Sequence, residues 1–108
     1  MNYKVLLSEN AEKLLDQCLY YLVFNLNNKD AAEHFTEELY KLYTRMEKNP
    51  CQFPECTDSY LKNKGYRKAV FSNMKYNLIF RIENNFVYIV GIYHQLENYT
   101  GKVREDQK

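Results

Sequence analysis

The apolar residues of this chain change their spacing once, near residue 50, and that change limits the folds open to it. Over residues 9–46 they recur every three or four positions, which is the period of an amphipathic helix. Over residues 66–93 they form aromatic and β-branched runs of strand length. The chain has 108 residues, of which 45% are apolar, and this is enough for one core. We therefore expect a single α+β domain over residues 1–100 and a polar C-terminal tail over residues 101–108.

The first elements predicted are a short strand and a helix. The segment Tyr3–Leu7 alternates as a strand does, and Ser8 stands where a helix N-cap is expected. Apolar residues at helical spacing then continue from Glu9 to about Leu26. The polar residues 27–30 are turn formers, so we expect the first helix to end there.

A second helix should follow after this short connection. Asp30 and Glu33 have the spacing of a capping box, and Asn49-Pro50 should end the helix because proline disfavours helical conformation in the residue before it. Two helices joined by so short a turn are expected to lie antiparallel. The predicted buried stripe of the second helix consists of Ala31, Phe35, Leu39, Leu42 and Met46.

The rest of the chain predicts a loop and three strands. Residues 51–65 show little periodicity and are expected to form a surface loop long enough to be functional. Two short polar turns then separate three segments rich in aromatic and β-branched residues. We expect an antiparallel meander, with the helical hairpin packed on one face of the sheet. The predicted strands are Tyr66–Phe71, Tyr76–Ile82 and Phe86–Tyr93.

Several classes of protein are disfavoured by composition. The three cysteines, Cys18, Cys51 and Cys56, are an odd number without a CxxC spacing, which fits neither a disulfide framework nor a zinc site. The apolar runs are too short for a membrane span, and no cofactor-binding motif is present. We expect a cytoplasmic protein that needs neither a cofactor nor a metal.

Positive charge is concentrated in the second half of the chain. The formal net charge is only +1, yet residues 1–56 carry six basic and nine acidic side chains, whereas residues 57–108 carry nine and five. A surface of this kind suits a polyanion, although solvated lysines without a partner are the alternative. Between Leu61 and Ile82 there are no acidic residues and six basic ones: Lys62, Lys64, Arg67, Lys68, Lys75 and Arg81.

A series of short motifs in a fixed order runs along the chain. They are Leu7-Ser8-Glu9, Ala31-Ala32 with Phe35, Lys48-Asn49-Pro50, Gly65-Tyr66-Arg67-Lys68, Tyr76–Ile82, and Ile92-Tyr93-His94 with Tyr99. Together they resemble the RelE/ParE superfamily of bacterial toxins over nearly the whole chain. The resemblance implies the toxin of a type II toxin–antitoxin module, which a cognate antitoxin holds inactive. One branch of the superfamily cleaves messenger RNA on the ribosome and another poisons DNA gyrase.

Cleavage of RNA without a metal needs a base for the 2'-hydroxyl, cations for the phosphate and an acid for the leaving oxygen. His94 can act as base or acid, while Arg67 and Arg81 can supply charge, so these three are the predicted catalytic residues. We expect a ribosome-dependent mRNA endoribonuclease of this kind. The predicted nucleic-acid-binding residues are Lys62, Lys64, Lys68, Lys75 and Tyr99.

Other features of the sequence keep two alternatives open. The nucleases often have an arginine after the strand aromatic, where this chain has Asn77, and Arg81 lies about 13 Å further along the same strand face. Ala31-Ala32 with Phe35 is more similar to the gyrase-directed branch. The alternatives are therefore a non-enzymatic inhibitor of gyrase and a degenerate toxin that only binds its antitoxin. Outside catalysis, His94 would cap a strand end and Arg81 would pair with Glu83.

The expected partners are the antitoxin and either the ribosome with its messenger RNA or DNA gyrase. Antitoxins of such modules usually bind through an extended, partly disordered segment. We expect that segment in the groove between the helical hairpin and the sheet, and along the strand edge near Tyr93.

Overall fold

One four-stranded sheet and three α-helices account for most of the computed structural model, which describes residues 2–95 and 101–103. The strands lie in the order β1-β4-β3-β2. This confirms the predicted α+β class, with an N-terminal strand, a helical hairpin and an antiparallel meander. The elements are β1 Lys4–Leu7, α1 Glu9–Tyr20, α2 Lys29–Lys48, α3 Ser59–Asn63, β2 Tyr66–Val70, β3 Tyr76–Glu83 and β4 Phe86–His94.

The sheet combines the meander with a parallel edge strand. The strands β2, β3 and β4 are antiparallel neighbours, and β1 pairs in parallel with β4, with Val5 opposite Val87. Asn73 and Asn84 take positive φ values of 60° and 55° in the two tight turns, a conformation that asparagine tolerates better than most residues. The turns therefore fix the register in which the meander strands pair.

The first helix begins as predicted and changes its winding before it ends. Ser8 is the N-cap, and its Oγ accepts a hydrogen bond of 3.0 Å from the backbone N–H of Ala11. After Tyr20 the chain continues as one wider π-helical turn over Tyr21–Asn25. Asn27, with a φ of 47°, then ends the helical run close to the predicted position.

The second helix has a different N-cap from the one predicted. Asn28, not Asp30, accepts the hydrogen bond from Ala31 N–H at 3.0 Å, so the helix begins one residue before the expected cap. The prediction of a capping box at Asp30 was wrong because asparagine caps a helix as well as aspartate does. The buried stripe matches the prediction along most of its length, with Phe35, Leu39, Leu42 and Met46 all buried.

The segment predicted as a loop contains two short helical turns. Pro50–Gln52 forms a 3₁₀ turn, and α3 is capped by Asp58, whose carboxylate accepts from Leu61 N–H at 3.1 Å. A five-residue helix is too short to show a periodic pattern, which is why the sequence did not predict it. Its one buried residue, Leu61, anchors the segment to the sheet.

The sheet is covered on both faces. The hairpin α1–α2 covers one face and encloses the larger core, in which Phe35 stacks on Phe71 with ring centroids 5.0 Å apart. The other face carries a smaller core built from Cys56, Leu61, Tyr66, Ile79, Val90, Tyr93 and Val103.

Val103 differs from the expectation of a polar tail beginning at residue 101. Residues 101–103 are helical, and Val103 is only 1% exposed in the smaller core. A single apolar residue within a polar stretch gives no periodic signal, so its burial could not be read from the pattern. Residues 104–108 lie outside the described part of the chain.

The packing around Tyr93 in the smaller core can be tested at Gly91. A Cβ at this buried position would overlap the ring of Tyr93, which is 1% exposed and has little room to move. Gly91→Ala should therefore lower the free energy of unfolding by about 1–3 kcal/mol in a urea titration. The same substitution in a Tyr93→Ala background should cost clearly less, and an equal cost in both backgrounds would contradict this packing.

Cys56 provides a second test. Burial raises the pKa of its thiol to about 11, whereas Cys51 is exposed. Folding therefore favours the protonated thiol, and its contribution to stability should fall as pH rises from about 9 towards 11.

At pH 8 the native protein should be alkylated at Cys51 at least about a hundredfold faster than at Cys56. Mass spectrometry of the alkylated peptides measures the two rates separately. Unfolding in denaturant should remove the difference, and equal rates in the native protein would show that the smaller core is open.

Candidate functional site

The pleat of the strands divides the predicted cationic residues between the two faces of the sheet. Arg67 is paired in register with Phe80, which belongs to the hairpin-side core. The next residue, Lys68, is paired with Ile79, which belongs to the smaller core on the other face. Since successive side chains of a strand point to opposite faces, Arg67 and Lys68 cannot act on the same phosphate group.

Arg67 holds a loop in place. Its Nη1 donates a hydrogen bond of 2.7 Å to the backbone carbonyl of Phe53, and the arginine is half-buried. The ring of Phe53 packs edge-on against Phe80 with centroids 5.6 Å apart. The guanidinium thus ties the segment before α3 to β2.

Arg81 lies on the face opposite the hairpin and has two partners. Its guanidinium forms an ion pair with Glu83 and stacks over the ring of Tyr88, with 4.8 Å between Cζ and the ring centroid. Asn77 shares this face but is only 4% exposed, and its Oδ1 accepts no hydrogen bond within the described structure. The pairing of Arg81 with Glu83 is the non-catalytic arrangement considered from the sequence.

His94 lies at the end of β4 on the hairpin side. It pairs in register with Tyr76, and the two rings meet edge to face at 5.7 Å. Both residues line a cleft of about 580 Å³ between the end of the first helical run and the sheet. The other described lining residues are Leu14, Gln17, Cys18, Tyr21, Leu26, Lys75, Ile92 and Lys102, so the charged ones among them are all basic.

The structure does not bring the three predicted catalytic residues together. Arg67 and Arg81 face opposite sides of the sheet. Arg67 is level with Ile89 of β4, and His94 lies five residues further on, roughly 16 Å along the strand. No single phosphate can contact all three side chains in this arrangement.

The predicted nucleic-acid-binding residues are also divided. Lys62 of α3 and Lys64, the C-cap residue of that helix, are exposed, and the ammonium of Lys64 lies 5.8 Å from the ring centroid of Tyr60. Lys75 lines the cleft of His94. Tyr99 lies outside the described residues.

An exposed aromatic surface at the tip of the hairpin was missed by the sequence analysis. Tyr20 is 62% and Phe24 is 68% exposed, and their ring centroids are 4.7 Å apart. Tyr21 and Leu26 are also exposed, and both belong to the wall of the His94 cleft. The sequence signal that could have revealed it is the unbroken apolar run over residues 18–24. Seven consecutive helical residues point to all sides of a helix, so one buried face cannot cover all of them. We call Tyr20, Tyr21, Phe24 and Leu26 the aromatic tip.

Two further kinds of site were sought in the described part of the chain. No group of three or more His, Cys, Asp or Glu residues there is placed to hold a metal ion. None of the helices in that part has the length and apolar character needed to cross a membrane.

Comparison with known proteins identifies the family. The model of the family described as ParE toxin of type II toxin-antitoxin system, parDE, matches residues 5–99. Among solved structures, the chromosomal ParDE toxin–antitoxin system from P. aeruginosa superposes with a TM-score of 0.65 at 14% sequence identity, covering 85% of this chain and 95% of that one. No curated protein matches the chain. The superposition supports the fold, and the family match shows that this chain belongs to the ParE toxins of type II toxin–antitoxin systems.

Proposed function

We propose that this toxin inhibits growth by binding DNA gyrase and that it has no RNA-cleaving chemistry of its own. The observation that carries the proposal is the separation of Arg67, Arg81 and His94 over two faces and along the sheet. Metal-independent RNA cleavage needs a proton-transfer group and phosphate-stabilising cations within reach of one phosphate. A toxin that works by binding alone has no such requirement. The match to the ParE family also favours the gyrase-directed branch.

The aromatic tip is the surface that we assign to gyrase. Tyrosine and phenylalanine supply large contact areas at protein interfaces and often carry much of the binding energy. Tyr20 ends α1 and Phe24 lies in the π-helical turn that follows, and a partner can reach both rings because both are exposed. A target that binds there need not enter the cleft beside His94.

The antitoxin is assigned to the neighbouring cleft and strand edge. Strand β1 pairs with β4 only as far as Ile89, so within the described residues the end of β4 from Val90 to His94 has no strand on that side. An added strand could hydrogen-bond along that edge. The adjoining cleft offers Lys75, His94 and Lys102 to acidic side chains of the same segment.

A ribosome-dependent endoribonuclease remains the second candidate function. The observation in its favour is that His94 shares one cleft with two lysines, Lys75 and Lys102. An imidazole beside basic groups is suited to proton transfer at a phosphate. In this case Lys68, which lies on the opposite face of the sheet, would bind RNA outside the cleft. A degenerate toxin would instead leave growth unchanged when its expression is induced.

One preparation of purified protein can separate these functions. A supercoiling assay with gyrase and primer extension on ribosome-bound messenger RNA should be run side by side. We expect supercoiling to be inhibited while the messenger RNA stays intact. Cleaved messenger RNA with normal supercoiling would overturn the proposal, and so would the absence of both effects.

The contribution of the aromatic tip can be measured in the same assay. The double substitution Tyr20→Ser and Phe24→Ser should raise the protein concentration needed for half-inhibition by at least about tenfold, because it removes the two most exposed rings of the surface. Tyr40→Ser is the matched control, since Tyr40 is 72% exposed on the other helix. Equal loss of inhibition in both variants would contradict the assignment.

A further inference from the structure

A small pocket on the sheet face opposite the hairpin brings two cations and two phenols together. It has a volume of about 330 Å³, and its described lining residues are Tyr60, Lys64, Tyr66, Arg81 and Val103. It shares no lining residue with the His94 cleft or with the aromatic tip. The pocket is therefore not part of the surfaces assigned to gyrase and to the antitoxin.

Two elements hold the pocket together. Tyr60 of α3 and Lys64, its C-cap residue, are four residues apart, a spacing that places both on one side of the helix. Tyr66 and Arg81 are cross-strand partners in β2 and β3, so their side chains stand next to each other on one face. Val103 from the C-terminal helical turn completes the wall.

The charge of the pocket is positive. No carboxylate lies within salt-bridge distance of Lys64 in the described part of the chain, and its ammonium is held near the ring of Tyr60. Arg81 does have a carboxylate partner, Glu83, but that residue does not line the pocket. The stacking of Arg81 on Tyr88 limits the motion of its guanidinium, so an incoming anion meets a group that is already oriented.

Tyr66 adds a hydrogen-bond donor at the pocket wall. The residue is only 6% exposed, and it lines the pocket next to its cross-strand partner Arg81. Burial raises the pKa of this phenol, so it keeps its proton at neutral pH. A ligand in the pocket can therefore accept a hydrogen bond from this hydroxyl.

We propose that this pocket binds a phosphate monoester of nucleotide size. Lys64 and Arg81 neutralise the phosphate, and the hydroxyl of Tyr66 donates a hydrogen bond to one of its oxygens. Several donors around one group suit a phosphate with three terminal oxygens better than a carboxylate with two. The volume corresponds to roughly ten water molecules, which leaves room for a ring beside the phosphate, and the exposed ring of Tyr60 can stack on it.

The direct test is a titration of the intact toxin with adenosine 5'-monophosphate, followed by calorimetry or by NMR. Two control compounds are titrated in the same way. Adenosine lacks the phosphate, and glutamate is an anion that carries carboxylates in place of a phosphate. We expect the monophosphate to bind at least about tenfold more tightly than either probe and to weaken with added salt. No saturable binding of the monophosphate, or equal binding of glutamate, would overturn the proposal.

Variants place the binding in the pocket. Lys64→Ala should weaken binding of the monophosphate by about tenfold, and Tyr66→Phe, which removes only the hydroxyl, by a few-fold. Lys62→Ala is the matched control, because Lys62 lies on the same short helix and does not line the pocket. An equal loss in Lys62→Ala would show that binding follows general surface charge, which would overturn the assignment. Thermal unfolding of each variant checks that the fold is retained.

One competition experiment tests whether the pocket binds the phosphate of a free nucleotide or the terminal phosphate of a nucleic-acid strand. A short DNA strand with a 5'-phosphate is added to the complex with the monophosphate, and the same strand with a 5'-hydroxyl is the control. Displacement only by the phosphorylated strand supports a pocket for strand ends, and displacement by neither supports one for free nucleotides. Displacement by both strands equally would contradict a site for a phosphate monoester.

Discussion

The alternation of side chains across a pleated sheet is the constraint on which the rest of this structure depends. Both faces of the sheet are covered, so each meander strand carries apolar residues on both sides and its polar residues lie where the covering ends. Two cationic residues that are adjacent in the sequence therefore lie on opposite faces of the sheet. Arg67 meets a loop carbonyl on one side, and Lys68 faces the other.

The protein has two adjoining surfaces on the hairpin side, which share Tyr21 and Leu26, and a third surface on the opposite face. The hairpin presents exposed rings at its tip, the cleft beside it ends at His94, and the opposite face has the pocket of Lys64 and Arg81. The regions that we assign to the antitoxin and to the target adjoin each other at Tyr21 and Leu26. The function that we propose, inhibition by binding, needs no catalytic centre and is consistent with the separation of Arg67, Arg81 and His94.

Much of the fold could be predicted because long periodic segments leave a clear pattern. The helical stripe of Phe35, Leu39 and Met46 and the meander strands were predicted in this way. The short helix α3 and the buried Val103 could not be, since five residues or one residue carry no period. The parallel pairing of β1 with β4 joins residues more than eighty positions apart, and no local signal specifies it.

The site was harder to predict than the fold because the distances between its residues depend on how the strands pair. The opposite directions of Arg67 and Lys68 follow from the strand assignment alone, because they are adjacent. The relation of Arg67 to Arg81 depends on the register set by the turn at Asn73, and that of Arg67 to His94 depends on two registers and a bulge. The sequence shows which residues are positively charged, but only the three-dimensional structure shows whether their side chains lie close together.

The most direct measurement for this account is the growth rate of cells after induction of the His94→Gln variant, compared with the native toxin at equal expression. Glutamine keeps much of the size and hydrogen-bonding ability of histidine but cannot transfer a proton near neutral pH. If the toxin acts by binding alone, growth should stop as completely with the variant as with the native protein. Restored growth, with the variant still folded and still bound by its antitoxin, would contradict the account and make His94 a catalytic residue.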